Sequence, residues 1–187
     1  MAAEITPELI VEVTNNAHGN LARTRELIEQ YPGLLNARSP LDETPIQAAT
    51  QLANLPIIEY LIARGAPVDF FTAIVLGRVD EVLSELESNP ARVHDRGVHG
   101  LPALYFAAIG GSVEMADLLH RHGAGVNETC QSASPLHGAI MGRNSELMVR
   151  WLLERGADPA APNFQGKGAR ELAQQLNKAE VVALFES

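Results

Sequence analysis

The residues with the clearest potential for chemistry are histidines that lie close to carboxylate and thiol groups. His94 and His99 flank Asp95 within the six-residue segment HDRGVH. A histidine beside a carboxylate is typical of general acid–base catalysis, and histidine and aspartate are also zinc ligands. The same segment fits two further roles, an ordinary polar turn and a contact with a partner protein. Its position in the fold has to decide between these alternatives.

A second pair, Cys130 and His137, has the residue types of a thiol nucleophile and its base. The sequence shows no third group to orient the histidine and no element for an oxyanion, so we expect the thiol to be incidental. His120 and His122 lie two residues apart, a spacing that points side chains in different directions on a helix. We therefore predict no catalytic residue and no metal site.

The glycines Gly110, Gly111 and Gly142 resemble a phosphate-binding loop only superficially. A nucleotide-binding loop needs a preceding strand and a following Lys-Ser/Thr, and both are missing here. We expect no cofactor.

Composition narrows the class of partner. The chain has 23 acidic and 14 basic residues, a formal charge of -9, so it lacks the basic surface of a nucleic-acid binder and is repelled by anionic membranes. A single cysteine excludes an intrachain disulfide, and we see neither a secretory signal nor an apolar stretch of the roughly 20 residues that span a bilayer. We expect a cytoplasmic protein, and the arginine-rich basic set (twelve of 14) hints at a bacterial source.

The elements that position these residues come from an internal repeat. Residues 43–66, 101–124 and 133–157 each have a small or proline-rich opening, an apolar helix, a second amphipathic helix and a closing Gly-Ala. Three weaker copies lie at residues 5–33, 70–86 and 166–187. The position equivalent to Thr44 falls at residues 10, 44, 68, 102, 134 and 168, mostly at intervals near 33 residues.

A repeat of this length with these signatures resembles the ankyrin repeat. The resemblance is carried by Thr44-Pro45-Ile46-Gln47, by Ser134-Pro135-Leu136-His137 and by the Gly-Ala pairs that end the second helices. It implies an all-α ankyrin-repeat solenoid of helix pairs with short β-hairpin-like fingers. It also implies a structural role for His137, which would link neighbouring turns by hydrogen bonds.

We predict one domain over residues 1–187, in which the first and last units act as polar caps. Its units cover residues 5–36, 37–67, 68–93, 94–126, 127–159 and 160–187. The segment between Gly65 and Phe70 is too short for a finger, so one finger is missing before the third unit. In the fourth unit Pro102 replaces the capping threonine and Tyr105 replaces the histidine. Leu104, Ala107 and Ala108 are expected in the core, as are Phe106 and Trp151.

The resemblance implies a non-enzymatic module that binds another protein. Ankyrin repeats usually hold a partner with their finger tips, which we expect here at residues 94–101 and 127–133. They also use the C-terminal part of each first helix, on the concave side, where this chain has mostly apolar residues. The predicted partner-binding residues are Leu52, Val75, Leu76, His94, His99, Leu101, Tyr105, Ile109 and Met141. Close packing between repeats is the competing explanation for the apolar positions.

Two other functions stay open at this point. A small-molecule binder or enzyme would use the gap left by the missing finger, where His94, His99 and Tyr105 would face Phe70 and Phe71. Self-assembly through the apolar concave side is the other, although we expect a monomer. The identity of the partner cannot be inferred from the sequence.

Overall fold

The computed structural model, which describes residues 4–130 and 133–186, consists of short helices arranged in successive pairs. The α-helices are α1 (Pro7–Ala17), α2 (Leu21–Gln30), α3 (Pro45–Gln51), α4 (Leu55–Ala63), α5 (Phe70–Val75), α6 (Val79–Ser88), α7 (Ala103–Gly110), α8 (Val113–Arg121), α9 (Pro135–Met141), α10 (Ser145–Glu154), α11 (Ala169–Gln175) and α12 (Ala179–Ala183). Short 3-10 helices cover Pro32–Asn36, Pro90–His94 and Val98–Gly100.

Local sequence signals explain where these helices begin and end. Thr6 caps α1 by accepting a hydrogen bond from Leu9 N–H (3.4 Å), and Ser112 caps α8 by accepting one from Met115 N–H (3.2 Å). The glycines after three second helices have φ of 96° at Gly65, 110° at Gly123 and 81° at Gly156. This left-handed conformation ends each helix at little steric cost to glycine, as the sequence predicted.

The chain divides into two compact units with the boundary after Thr72. In the first unit α1 packs against α3, and α2 packs against α4. Between these pairs lies an aliphatic core with Val13, Leu27, Ile57 and Leu61 at its centre, all at most 1% exposed. Burial of these side chains is the main stabilising contribution in this unit.

In the second unit the first helices of each pair form one row, with α7 against α9 and α9 against α11. The second helices form another row, in which α6, α8, α10 and α12 pack in that order. The core predictions for this unit are confirmed. Its buried side chains include Leu104, Phe106, Ala107, Ala108 and Trp151.

The predicted fingers are hydrogen-bonded turns, since no strand occurs in residues 4–130 and 133–186. Three turns share one hydrogen bond at 2.9 Å, donated by Ser39, Gly97 and Asn163 N–H to the carbonyl oxygen four residues later. An isolated bridge pairs Arg96 with Pro102. Between α4 and α5 the structure has no such turn in its described residues, and Asp69 caps α5 instead by accepting from Thr72 N–H (2.8 Å).

Two helix starts depart from the common pattern. Pro102 gives α7 no side-chain cap, as the sequence predicted. Helix α1 begins at Pro7, about one turn before the register position at Ile10. The division into six repeat units remains a prediction. Among the described helices none is long and apolar enough to span a membrane, which takes about 20 residues.

Candidate functional site

The segment containing His94 and His99 forms the turn that leads into α7. His94 ends the 3-10 helix Pro90–His94, and His99 lies inside the next one, Val98–Gly100, with a φ of 56°. Gly100 N–H donates to the Gly97 carbonyl (3.0 Å) and closes the turn. Both histidines are exposed, so the segment is a polar surface turn.

Arg96 is tied to the following turn through Glu128. Arg96 Nη2 lies 3.0 Å from Glu128 Oε2, and the His94 ring approaches the same carboxylate, with Nδ1 3.9 Å from Oε1. Glu128 Oε1 also accepts from Gly125 N–H at 2.8 Å. The carboxylate therefore holds two successive turns together. Glu128 was not singled out from the sequence, since Arg96 and His94 lie more than 30 residues before it.

His120 and His137 have structural partners. His120 Nδ1–H donates to the Ala124 carbonyl (2.9 Å), and its ring packs edge-on against Trp151 with centroids 5.7 Å apart. His137 Nδ1 accepts from Ser134 N–H (3.2 Å), and its Nε2–H donates to the Lys167 carbonyl (3.2 Å). The structural role that the resemblance implied for His137 matches these contacts.

The geometry does not favour thiol catalysis. Cys130 Sγ–H donates to the Ala133 carbonyl at 3.5 Å. Both ring nitrogens of His137 are engaged by Ser134 and Lys167, so the ring has no free nitrogen with which to act as a base. Within residues 4–130 and 133–186, no group of three or more His, Cys, Asp or Glu side chains could hold a metal ion.

The nine predicted partner-binding residues divide into two sets. Five lie wholly or partly at the surface: Leu52 (43% exposed), Met141 (39% exposed), half-buried Leu76, and the exposed His94 and His99. The other four are at most 2% exposed: Val75, Leu101, Tyr105 and Ile109. These four side chains belong to the core and offer no surface to a partner in this structure.

Close packing of the first helices explains this burial. A Cβ added at Gly110 would lie 3.1 Å from the Val75 carbonyl oxygen, and one at Gly138 would lie 2.9 Å from Cδ2 of Tyr105. A Cβ at Gly142 would collide with the Ile109 carbonyl oxygen. The small residues let the helices approach, so Val75, Tyr105 and Ile109 are covered by the next repeat. For these positions packing was the better explanation.

Tyr105 and Phe70, two of the residues considered for a pocket at the missing finger, are both buried. Tyr105 packs edge-on against Phe106 with ring centroids 5.6 Å apart, and burial raises the pKa of its phenol. Phe70 is 1% exposed and packs edge-on against Phe71 at 5.5 Å. A phenol with a raised pKa stays protonated at neutral pH and is a poor general base.

A cleft in the second unit was not expected from the sequence. It measures about 540 Å³ and is lined by Asn127, Thr129, Cys130, Asp158, Ala161, Pro162 and Asn163. Asn127 organises one wall: its Nδ2 donates to the Gly156 carbonyl (2.8 Å) and its Oδ1 accepts from Asp158 N–H (2.7 Å). The predicted contact segment 127–133 includes residues 131 and 132, which lie outside the described part.

Comparison with known proteins identifies relatives of the repeat. A family model described as ankyrin repeats (3 copies) matches residues 70–163. The chain is 32% identical over 133 residues to human BCL-6 corepressor-like protein 1, covering 70% of this chain and 7% of that protein. It is 28% identical over 138 residues to a putative ankyrin repeat protein of Rickettsia felis, covering 73% of this chain and 49% of the relative. The chain thus spans half or less of these relatives.

Proposed function

Because the chain belongs to the ankyrin-repeat family, whose members generally mediate protein–protein interaction, we propose that it is a non-enzymatic module that binds another protein. We place the contact at the exposed ends of the first helices and at the adjoining turns. In the first unit Leu52 contributes, and in the second unit Leu76, Met141, His94 and His99 contribute. Val75, Leu101, Tyr105 and Ile109 are buried and are not part of the proposed contact.

The proposal rests on one recurring feature: an exposed apolar residue at the C-terminal end of several first helices. Leu52 follows α3 and is 43% exposed, Met141 ends α9 and is 39% exposed, and Leu176 follows α11 and is 41% exposed. Contact between water and large apolar side chains is unfavourable. Their repeated exposure at equivalent positions therefore supports a surface that a partner covers. An aliphatic or aromatic anchor on the partner fits such a surface.

The formal charge of -9 supports a protein partner over nucleic acid or an anionic membrane. We also propose that the protein acts as a monomer. Light scattering at several protein concentrations tests this point, and a molar mass that rises with concentration would contradict it.

Affinity capture with a surface variant tests the proposal. The triple variant Leu52→Gln, Leu76→Gln and Met141→Gln should stay folded, since none of these side chains is fully buried. Partners captured by the wild type and identified by mass spectrometry should then bind the variant at least about tenfold more weakly, or about 1.4 kcal/mol.

The matched control is Leu147→Gln, which replaces a 63% exposed leucine on the second helix α10. It should capture the same partners as the wild type. Equal capture by the triple variant would place the binding surface elsewhere.

A further inference from the structure

The first unit contains a small cavity between α1 and the turn that leads into α3. Its volume is about 160 Å³, room for about five water molecules at about 30 Å³ each. Val11, Thr14 and Asn15 form the α1 side, and Ser39, Pro40, Leu41 and Glu43 form the other. All of these residues lie within the first unit, so the cavity is complete in itself.

The ionisable group in this wall is the buried side chain of Glu43. Glu43 is 2% exposed, and its Oε1 lies 3.9 Å from Nε2 of His18. A carboxylate with little access to water interacts strongly with a cation, because the surrounding protein screens charge less than water does. The cavity therefore favours a positively charged occupant.

The mouth of the cavity, formed by its exposed lining residues, is mostly apolar: Val11, Pro40 and Leu41 are apolar and Asn15 is polar. Leu41 is 74% exposed and Val11 is 37% exposed, and both line the cavity. A mostly apolar mouth with an acidic wall complements a side chain that has an aliphatic stem and a cationic end, as lysine and arginine do. A metal ion would instead need several oxygen ligands around one point.

The surface beside the mouth is also acidic. A wider depression of about 450 Å³ is lined by Pro7, Glu8, Val11, Glu12 and Asn15, and it shares Val11 and Asn15 with the cavity. The last four of these residues follow the three- and four-residue spacing that places them on one face of α1. Glu12 on this face already pairs with Arg23 (Oε1 to Nη2, 2.6 Å), so Glu8 supplies the acidic group beside the cavity.

We infer that this cavity binds a lysine or arginine side chain from a basic segment of a partner protein. The aliphatic stem lies against Val11 and Leu41, and the cationic end reaches Glu43. This inference rests on the proposed partner-binding function and specifies the chemistry of one contact. No covalent step is involved.

NMR titration of the ¹⁵N-labelled protein tests the inference with three probes: Nα-acetyl-lysine amide, Nα-acetyl-arginine amide and Nα-acetyl-norleucine amide. At least one cationic probe should shift the amide signals of Val11, Thr14 and Glu43 saturably, with a Kd of about 1 mM. Norleucine has the stem without the charge and should bind at least about tenfold more weakly. Equal binding of norleucine, or no saturable shift with either cation, would overturn the inference.

Three variants, each of which raises the formal charge of -9 by one, separate the cavity from general electrostatics. Glu43→Gln should weaken binding of the cationic probe at least about tenfold. Val11→Lys leaves Glu43 in place and supplies a competing ammonium group at an exposed position, so it should also weaken binding. Glu59→Gln, at an exposed position on α4, should bind like the wild type.

Val11→Lys keeps the test decisive if Glu43→Gln proves unfolded, and wild-type binding by either folded variant would overturn the inference. The probes need no partner protein. Their failure therefore refutes the cavity alone, whereas unchanged capture by the Leu52, Leu76 and Met141 variant refutes the proposed surface alone.

Discussion

Gln47 and His137 occupy equivalent positions in their repeats and make equivalent pairs of hydrogen bonds, Gln47 through an amide and His137 through an imidazole ring. Gln47 Oε1 accepts from Thr44 N–H at 3.1 Å, as His137 Nδ1 accepts from Ser134 N–H at 3.2 Å. At the far end, Gln47 Nε2 donates to Asp69 Oδ2 (3.2 Å) and His137 Nε2 donates to the Lys167 carbonyl (3.2 Å). Each side chain bonds to the N-cap residue of its own helix and links that helix to a later segment of the chain.

This equivalence predicts that His137→Gln preserves stability and changes its pH dependence. Burial lowers the pKa of His137, so the folded protein favours the neutral ring. In the unfolded chain the ring takes up a proton below about pH 6.5, so its contribution to the free energy of unfolding is present above that pH and lost as the pH falls. Urea unfolding at pH 7.5 and 5.5 should show a smaller loss for His137→Gln than for the wild type.

At pH 7.5 the glutamine variant should lie within about 1 kcal/mol of the wild type, whereas His137→Ala should lose about 1–3 kcal/mol because Ser134 N–H and the Lys167 carbonyl lose their partner. His94→Gln replaces an exposed histidine. Its free energy of unfolding should fall between pH 7.5 and 5.5 by as much as that of the wild type. An undiminished loss in His137→Gln would contradict the role assigned to His137.

Tyr105 and Gly138 should be energetically coupled, because the glycine leaves space that the tyrosine ring fills. A Cβ at position 138 would lie 2.9 Å from Cδ2 and 3.0 Å from the carbonyl oxygen of Tyr105. Gly138→Ala should therefore destabilise the protein by about 1–3 kcal/mol, even though alanine is the better helix former by about 1 kcal/mol.

In a Tyr105→Ala background the ring is gone, so Gly138→Ala should cost at least about 0.5 kcal/mol less. Denaturant unfolding of the four proteins gives the coupling energy directly. Gly19→Ala serves as a control, because a Cβ at Gly19 would meet no atom within 4 Å. Additive effects at positions 105 and 138 would show that the two residues do not compete for space.

Glu128 should stabilise the turn before α9 more than an ordinary surface carboxylate does. It accepts from Gly125 N–H at 2.8 Å and pairs with Arg96 at 3.0 Å. Glu128→Ala should lower the free energy of unfolding by about 1–2 kcal/mol and speed hydrogen exchange at the Gly125 amide. Glu146→Ala, which removes a surface ion pair to Arg150, should cost less than about 0.5 kcal/mol. Unchanged exchange at Gly125 would contradict the prediction.

The helix pairs were predictable because their boundaries depend on local signals. Pro45 and Pro135 each stand at the first position of a helix, and Gly65, Gly123 and Gly156 end helices in a conformation that suits glycine. The cap that Asp69 provides for α5 was missed, since the third unit lacks the usual opening and its signal differs from the repeat.

The surface was predicted less well than the fold. Leu52 and Met141 are exposed as expected, whereas Val75, Leu101, Tyr105 and Ile109 are buried. Register alone places a residue on a face of its helix, but the distance to the neighbouring helix decides whether that face meets water. Gly138 and Gly142 set that distance from more than 30 residues away in the chain.

The sequence by itself determined the helix pairs, their order and the family, because capping, helix termination and repeat length act over a few residues at a time. Only the tertiary structure decided which apolar side chains remain exposed, how Glu128 joins two turns, and that Glu43 lines a cavity beside Val11. Those properties depend on atoms that are distant in the chain and adjacent in space, so no local pattern contains them.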